Sequence, residues 1–201
     1  MIRYAKQPSR PELRTLALFM AGLLAVLAVF AASPANAAEP APDPGTARFE
    51  VDFLSDMIDH HAMAVEMGQL CLDEAVHEEL AAMCSDIVAS QQQEIETMQT
   101  WLVSWYGRSH QPEMNAGDMK KMERLATLSG EKFEIEFMQM MSKHHAMAVK
   151  MASRCLDRAD HAELVDMCGE IVATQSAEVE QMQTWLCDWY GICRPGRSGT
   201  A

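Results

Sequence analysis

The stretch FLSDMIDHHAMAVEMG, residues 53–68, returns 84 residues later as FMQMMSKHHAMAVKMA, residues 137–152. Residues 49–107 align with 133–191 at this constant offset without a gap, and 34 of the 59 positions are identical. Two copies are too few for a solenoid, which needs at least three repeats. Two copies of a helical hairpin, however, make a four-helix bundle.

Each copy has the apolar spacing of two helices, predicted over 47–72 and 77–106 in the first copy and over 131–156 and 161–190 in the second. Gly107 and Gly191 follow the second helix of each pair, where glycine is the expected stop signal. No alternating strand pattern competes. The sequence therefore predicts an all-α four-helix bundle, divided into a flexible tail at 38–46, hairpin repeats at 47–107 and 131–191, a linker with a short helix at 108–130, and a C-terminal tail at 192–201.

Residues 1–37 have the features of a secretory signal peptide. Four basic residues precede an uncharged apolar run, which is followed by a proline and by Ala35-Asn36-Ala37. This order predicts export to the periplasm with cleavage after Ala37, and an uncleaved membrane anchor is the alternative that a run of this length leaves open. Cleavage would remove four bases and one acid, so that the net charge would change from −13 to −16. No basic surface remains that would indicate nucleic-acid binding.

Six cysteines fall within the predicted exported part, where disulfides are the default interpretation. An antiparallel hairpin with a short loop brings the end of its first helix to the level of the start of its second. We therefore predict the disulfides Cys71–Cys84 and Cys155–Cys168, with Cys187–Cys193 by remainder. Thiolate ligation of a metal is the competing interpretation.

The histidine pairs lie on and beside the apolar face of the first helix in each copy. At about 100° per residue, His61 falls in the middle of that face and His60 at its edge, beside Met63 and Met67. The second copy repeats the arrangement and adds Met140 to the row. Imidazole and thioether together favour copper, and thioether in particular selects Cu(I). The candidate ligands are His60, His61, Met63, Met67, Met140, His144, His145, Met147 and Met151.

The alternative is that these side chains only pack. Methionine is a common gap-filler in helical cores, and the chain has 17 methionines. A histidine on an apolar face is often a hydrogen-bonded core residue. Each copy, however, has an adjacent histidine pair with two methionines at fixed spacing, and this repeated combination favours metal binding. The alternative function is a structural or protein-interaction module of the cell envelope that binds no metal.

The second helix of each copy carries polar residues among apolar ones, Gln91 and Glu94 in the first copy and Gln175 and Glu178 in the second. A buried carboxylate is costly unless it is paired, and the inward histidines His61 and His145 are the available partners. A carboxylate that accepts the N–H of a ligand histidine orients that ligand. We assign this supporting role to the four residues, with a purely structural polar bridge as the alternative.

The sequence has no pattern that indicates catalysis. A di-iron enzyme would need Glu-x-x-His on two helices, and Glu74-Ala-Val-His77 has no counterpart in the second copy. No nucleophile elbow, phosphate-binding glycine loop or paired-cysteine zinc spacing is present. We therefore expect a protein that is not an enzyme.

The two stretches quoted first, each followed by Gln-x-x-Glu-(Ile/Val)-x-x-Met-x-x-Trp-Leu, resemble the domain-of-unknown-function 305 family in two tandem units. The resemblance implies a ferritin-like fold, export, and a copper-associated role that involves the histidines and the methionines at 63, 67, 147 and 151. Members of the family often have proline before the histidine pair, where this chain has Asp59 and Lys143. We expect an exported protein that buffers, sequesters or delivers copper, with the metal ion and a copper donor or acceptor protein as partners and membrane contact only through the signal peptide.

Overall fold

A computed structural model describes residues 39–194, and within them every regular element is an α-helix. The helices are α1 (Pro44–Glu74), α2 (Glu78–Tyr106), α3 (Ala116–Leu125), α4 (Gly130–Arg158) and α5 (Ala162–Tyr190). The predicted signal peptide and residues 195–201 of the predicted tail lie outside the described residues. In the described part, no helix combines the length and the apolar character that a membrane crossing requires.

The helix ends follow from local sequence. Pro44 occupies the first turn of α1, where its missing N–H costs nothing, and the Asp43 carboxylate accepts a hydrogen bond from the Thr46 N–H at 2.7 Å. Gly107 and Gly191 end α2 and α5 with φ values of 60° and 67°. Glycine adopts this left-handed conformation without a steric penalty, so both glycines stop their helices as predicted.

The two hairpins pack through their first helices. α1 packs against α2, α4 packs against α5, and α1 and α4 lie against each other. One core cluster joins the first half of α1 to the second half of α4, and the other joins the second half of α1 to the first half of α4. α1 and α4 therefore run antiparallel, and the histidine pairs lie near their crossing. α3 adds Met122 and Leu125 to the second cluster alone, so the extra helix breaks the symmetry of the duplicated chain.

Disulfides Cys71–Cys84 and Cys155–Cys168 each close one hairpin, and Cys187–Cys193 ties the end of α5 to the following segment. These are the pairs that the sequence predicts. The first two fall inside the buried core. Their place in the structure fits an oxidising compartment.

Two buried carboxylates, Glu50 and Glu134, join the repeats. Each accepts hydrogen bonds at the start of the second helix of the other repeat. Glu50 of α1 accepts the backbone N–H groups of Asp160 and His161, at 2.6 and 3.1 Å, where α5 begins. It also accepts the Tyr106 hydroxyl at 2.6 Å and the His161 ring at 2.5 Å. Burial raises the pKa of Glu50, but these hydrogen bonds outweigh burial and hold it below 4.5.

Glu134 makes the same arrangement in the other direction. Its carboxylate accepts the N–H groups of Val76 and His77, the His77 ring and the Tyr190 hydroxyl. Each repeat thus supplies the carboxylate that caps the second helix of the other repeat. The His77 ring stacks on Trp189 and the His161 ring on Trp105, with ring centroids 3.9 and 3.8 Å apart. These side chains hold the two hairpins in register.

Candidate metal centre

The antiparallel crossing of α1 and α4 places His60 against His144. Their ring centroids are 3.6 Å apart and the ring planes are inclined by 32°. Because each histidine comes from a different repeat, the duplication produces one shared pair at the pseudo-twofold axis. His144 is buried, whereas His60 is half-buried and opens onto a cleft between α1, α4 and the linker.

All four ring nitrogens of His60 and His144 are buried without a hydrogen-bond partner. Burial and then the neighbouring His61 and His145 lower the pKa of His60 to about 3, and burial followed by His60 lowers the pKa of His144 well below 6.5. Both rings are therefore neutral near pH 7, and each has one nitrogen with a free lone pair. An unsatisfied buried polar atom is costly, and four in one place indicate a site built for a guest.

Thioethers line the same cleft as the histidine pair. The cleft has a volume of about 680 Å³ and is lined by both rings together with Met63, Met140, Met147 and Met151. Met114 of the linker lines it as well. Sequence reasoning missed Met114, since it lies outside the repeat and only the docking of the linker brings it to the cleft.

Met67 does not line the cleft. It is fully buried in the core cluster that contains Met122 and Leu125 of α3. Its counterpart Met151 is half-buried and lines the cleft. The sequence pattern places Met67 and Met151 at equivalent positions, but in the structure the first is buried in the core and the second lines the cleft.

His61 and His145 face away from the cleft and lie fully buried against the second helices. The His61 Nε2 atom lies 2.6 Å from the Glu94 carboxylate and donates to it. The His145 Nε2 atom lies 2.8 Å from the Glu178 carboxylate, in a poorer hydrogen-bond geometry. Glu94 and Glu178 therefore lie beside His61 and His145, as the sequence predicts. The rings of these two histidines do not line the cleft.

The linker is fastened over the cleft by Asp59, the residue before His60. One Asp59 carboxylate oxygen lies 2.7 Å from the His110 ring and accepts the Glu113 N–H at 2.8 Å. This anchor positions Met114 at the cleft. At the equivalent position the second repeat has Lys143, which also lines the cleft. Asp59 thus has a structural role in this chain.

Carboxylates outnumber cationic groups at the cleft. Asp56, Asp59, Glu113 and Asp118 line it, against two lysines, of which Lys121 is paired with Asp118 at 2.7 Å. Burial, followed by repulsion from Asp52 and Asp59, raises the pKa of Asp56. The acidic lining attracts cations. Across residues 39–194, no three His, Cys, Asp or Glu side chains converge closely enough to hold one ion.

A family model, the domain of unknown function DUF305, matches residues 50–186. This match covers both hairpins and the linker between them. The chain belongs to the DUF305 family. No curated protein matches the chain.

Several solved structures share the fold. CopM in its Cu(I)-bound form is 33% identical, with a TM-score of 0.64, and the match covers 71% of this chain and 98% of CopM. CopM in its Cu(II)-bound form gives the same identity and TM-score over 70% and 97%. A DUF305 protein from Streptomyces coelicolor is 26% identical, with a TM-score of 0.63 over 76% of this chain and 98% of the other.

Proposed function

We propose that this chain binds copper, chiefly as Cu(I), in the cleft where the two repeats meet, and that it buffers, sequesters or delivers the ion. The observation that carries the proposal is the closely apposed pair His60 and His144, whose ring nitrogens lack partners and which share a cleft with several methionine side chains. The similarity to CopM, solved with Cu(I), Cu(II) and silver bound, supports it.

The donor set favours a soft ion. Thioether sulfur binds Cu(I) and silver in preference to hard cations, and imidazole is compatible with copper in either oxidation state. Thioethers also survive in an oxidising compartment, where the cysteines of this chain are already bonded. A site of imidazole and thioether therefore remains available for metal where a thiolate site would be lost.

The arrangement of the ligands favours exchange of the ion over permanent retention. Met147 is 52% exposed, whereas Met63 is only 6% exposed. An ion held by the buried Met63 and by the exposed Met147 is accessible to another protein's ligands on the Met147 side. We therefore include a copper donor or acceptor protein among the partners, and we place the chain in the periplasm after export. The proposal includes no reaction catalysed by the chain itself.

A Cu(I) titration tests this function. The mature, oxidised protein and the double variant His60→Ala/His144→Ala would be titrated anaerobically against a chromophoric Cu(I) chelator. We expect the double variant to bind at least about tenfold more weakly, equivalent to about 1.4 kcal/mol. Equally weak uptake by both proteins would contradict copper binding and favour the structural module.

A matched pair of methionine variants distinguishes the cleft from general methionine content. Met147→Leu removes an exposed thioether that lines the cleft, and Met119→Leu removes a comparably exposed one, at 47%, that does not line it. Leucine keeps the volume of methionine. We expect Met147→Leu alone to weaken Cu(I) binding, and equal effects of the two changes would refute the assignment.

A further inference from the structure

The linker brings a methionine from outside both repeats, Met114, to the cleft that holds the histidine pair. Met114 is half-buried, whereas the three residues before it are exposed. Its side chain lines the cleft together with His60 and packs against the core cluster that contains Met63. The linker therefore adds a thioether to the cleft that the repeated sequence does not supply.

Met114 is held in place from both sides. The N–H of Glu113, the residue before it, donates to the Asp59 carboxylate at 2.8 Å. Asn115, the residue after it, caps α3, where its side chain accepts two backbone N–H groups at 2.9 and 3.0 Å. Pro112 fixes its own φ and so limits the conformations of the linker. A donor that is already ordered loses little conformational entropy when it binds an ion.

The same anchor brings Met114 close to His60. Asp59 directly precedes His60 in α1, and its hydrogen-bond partner Glu113 directly precedes Met114. Consecutive Cα atoms are about 3.8 Å apart, so each donor is one residue away from the hydrogen bond that joins the two segments. The methionine side chain has three rotatable bonds, which let its sulfur approach the imidazole. Lys143 occupies the position of Asp59 in the second repeat, and an ammonium group accepts no hydrogen bond, so Lys143 cannot form this anchor.

We propose that Met114 is a further copper ligand and that it strengthens the preference of the cleft for Cu(I) over Cu(II). This inference rests on the proposed function. Imidazole binds copper in both oxidation states, whereas thioether sulfur selects Cu(I). A thioether added by the linker therefore increases the affinity for Cu(I) more than the affinity for Cu(II).

His110 is a positioning residue for Met114. Its ring lies 2.7 Å from the Asp59 carboxylate, and its carbonyl oxygen accepts the Gln99 side-chain N–H at 3.0 Å. These two contacts fasten the start of the linker to α1 and α2. His110 itself does not line the cleft, so its effect on an ion passes through the placement of the linker.

Competition titrations with Cu(I) and with Cu(II), each against a chromophoric chelator, test the inference on the mature, oxidised protein. We expect Met114→Leu to bind Cu(I) at least about tenfold more weakly and Cu(II) less than about threefold more weakly than wild type. Leucine keeps the volume of methionine, so the thermal transition should not change. The control Met119→Leu removes an exposed thioether of α3 that does not line the cleft, and both affinities should stay as in wild type.

A double-mutant cycle tests the positioning role of His110. We expect His110→Ala to weaken Cu(I) binding by about fivefold in wild type and to have no effect in Met114→Leu, because the linker then carries no ligand to misplace. An equal loss in both backgrounds would show that His110 acts without Met114.

Methyl carbon-13 NMR of the methionines gives a readout that does not depend on affinity. The signal that is missing from Met114→Leu identifies the Met114 methyl group. One equivalent of Ag(I), a soft ion like Cu(I), should shift this signal and leave the Met119 signal in place.

The outcomes separate the two proposals. If wild type takes up no Cu(I), the proposed function fails and the inference fails with it. If wild type binds Cu(I) but Met114→Leu binds it equally well, loses Cu(I) and Cu(II) affinity alike, or the Met114 methyl signal does not respond to Ag(I), the inference is overturned while the copper site stands.

Discussion

Replacing Glu50 by glutamine should destabilise the junction of the two repeats. The fully buried carboxylate accepts four hydrogen bonds, from Tyr106, from two backbone N–H groups and from the His161 ring. Hydrogen bonds to a charged group contribute about 1.5–3 kcal/mol each. Glutamine keeps one acceptor oxygen and directs an NH₂ group at one pair of donors, so about two bonds are lost. The free energy of unfolding should fall by about 3–5 kcal/mol.

The effect should depend on pH in a defined direction. Because folding holds the pKa of Glu50 below 4.5, its contribution is present above pH 4.5 and is lost as the pH falls through the folded-state value. Urea unfolding, followed by circular dichroism and tryptophan fluorescence, should show a large difference between Glu50→Gln and wild type at pH 7 and a smaller one at pH 3. The exposed Glu66→Gln on α1 is the control. A difference at pH 7 below about 0.5 kcal/mol, or one that does not shrink in acid, would refute the reasoning.

Three other changes probe the fold and the linker. Replacing Cys71 and Cys84 by alanine opens a loop with a sequence separation of 13. The free energy of unfolding, measured by thermal unfolding, should fall by about 3 kcal/mol. An unchanged transition would contradict this. Gly68→Ala would place its Cβ 2.7 Å from a methyl group of Val88 on α2 and should cost about 1–3 kcal/mol in the same assay. An unchanged transition would show that the contact is not tight. His110→Ala removes the contact that fastens the linker to Asp59. Cu(I) transfer from the protein to a chelator, measured by stopped flow, should become about fivefold faster. An unchanged rate would show that the linker does not control release of the ion.

The internal duplication made most of the fold predictable. An exact offset of 84 residues fixes two equivalent hairpins, and the helix stops at Gly107 and Gly191 fix their ends. Hairpin geometry was then enough to pair the cysteines. The same periodicity placed Glu94 and Glu178 on the inner face, where they lie beside His61 and His145.

The candidate site could be predicted only in part, since it depends on how one hairpin docks on the other. Periodicity places His60 at the edge of the apolar face but cannot say that the His144 ring of the other repeat lies against it. Nor can it foresee that Met67 is buried in the core while Met151 lines the cleft, or that the linker adds Met114. These contacts join segments far apart in sequence, and local spacing contains no information about them.

Sequence reasoning also missed that Glu50 and Glu134 each cap the second helix of the other repeat, although the sequence contains a pattern that indicates it. Glu50, His77 and Tyr106 each recur at the same offset as Glu134, His161 and Tyr190. Sequence reasoning considered His77 only in the local Glu-x-x-His spacing with Glu74, whereas in the structure its partner is Glu134 of the other repeat. The recurrence of polar residues at the repeat offset would have identified these six residues, but it would not have shown which of them contact one another.

The most direct test of the central claim is X-ray absorption at the copper edge on protein loaded with one equivalent of Cu(I). If imidazoles from both repeats and cleft thioethers share the ion, the first shell should contain nitrogen and sulfur together, and the sulfur contribution should diminish when Met63, Met140, Met147 and Met151 are changed to leucine. A shell of nitrogen and oxygen alone, or one that is unchanged in His60→Ala/His144→Ala, would contradict the account.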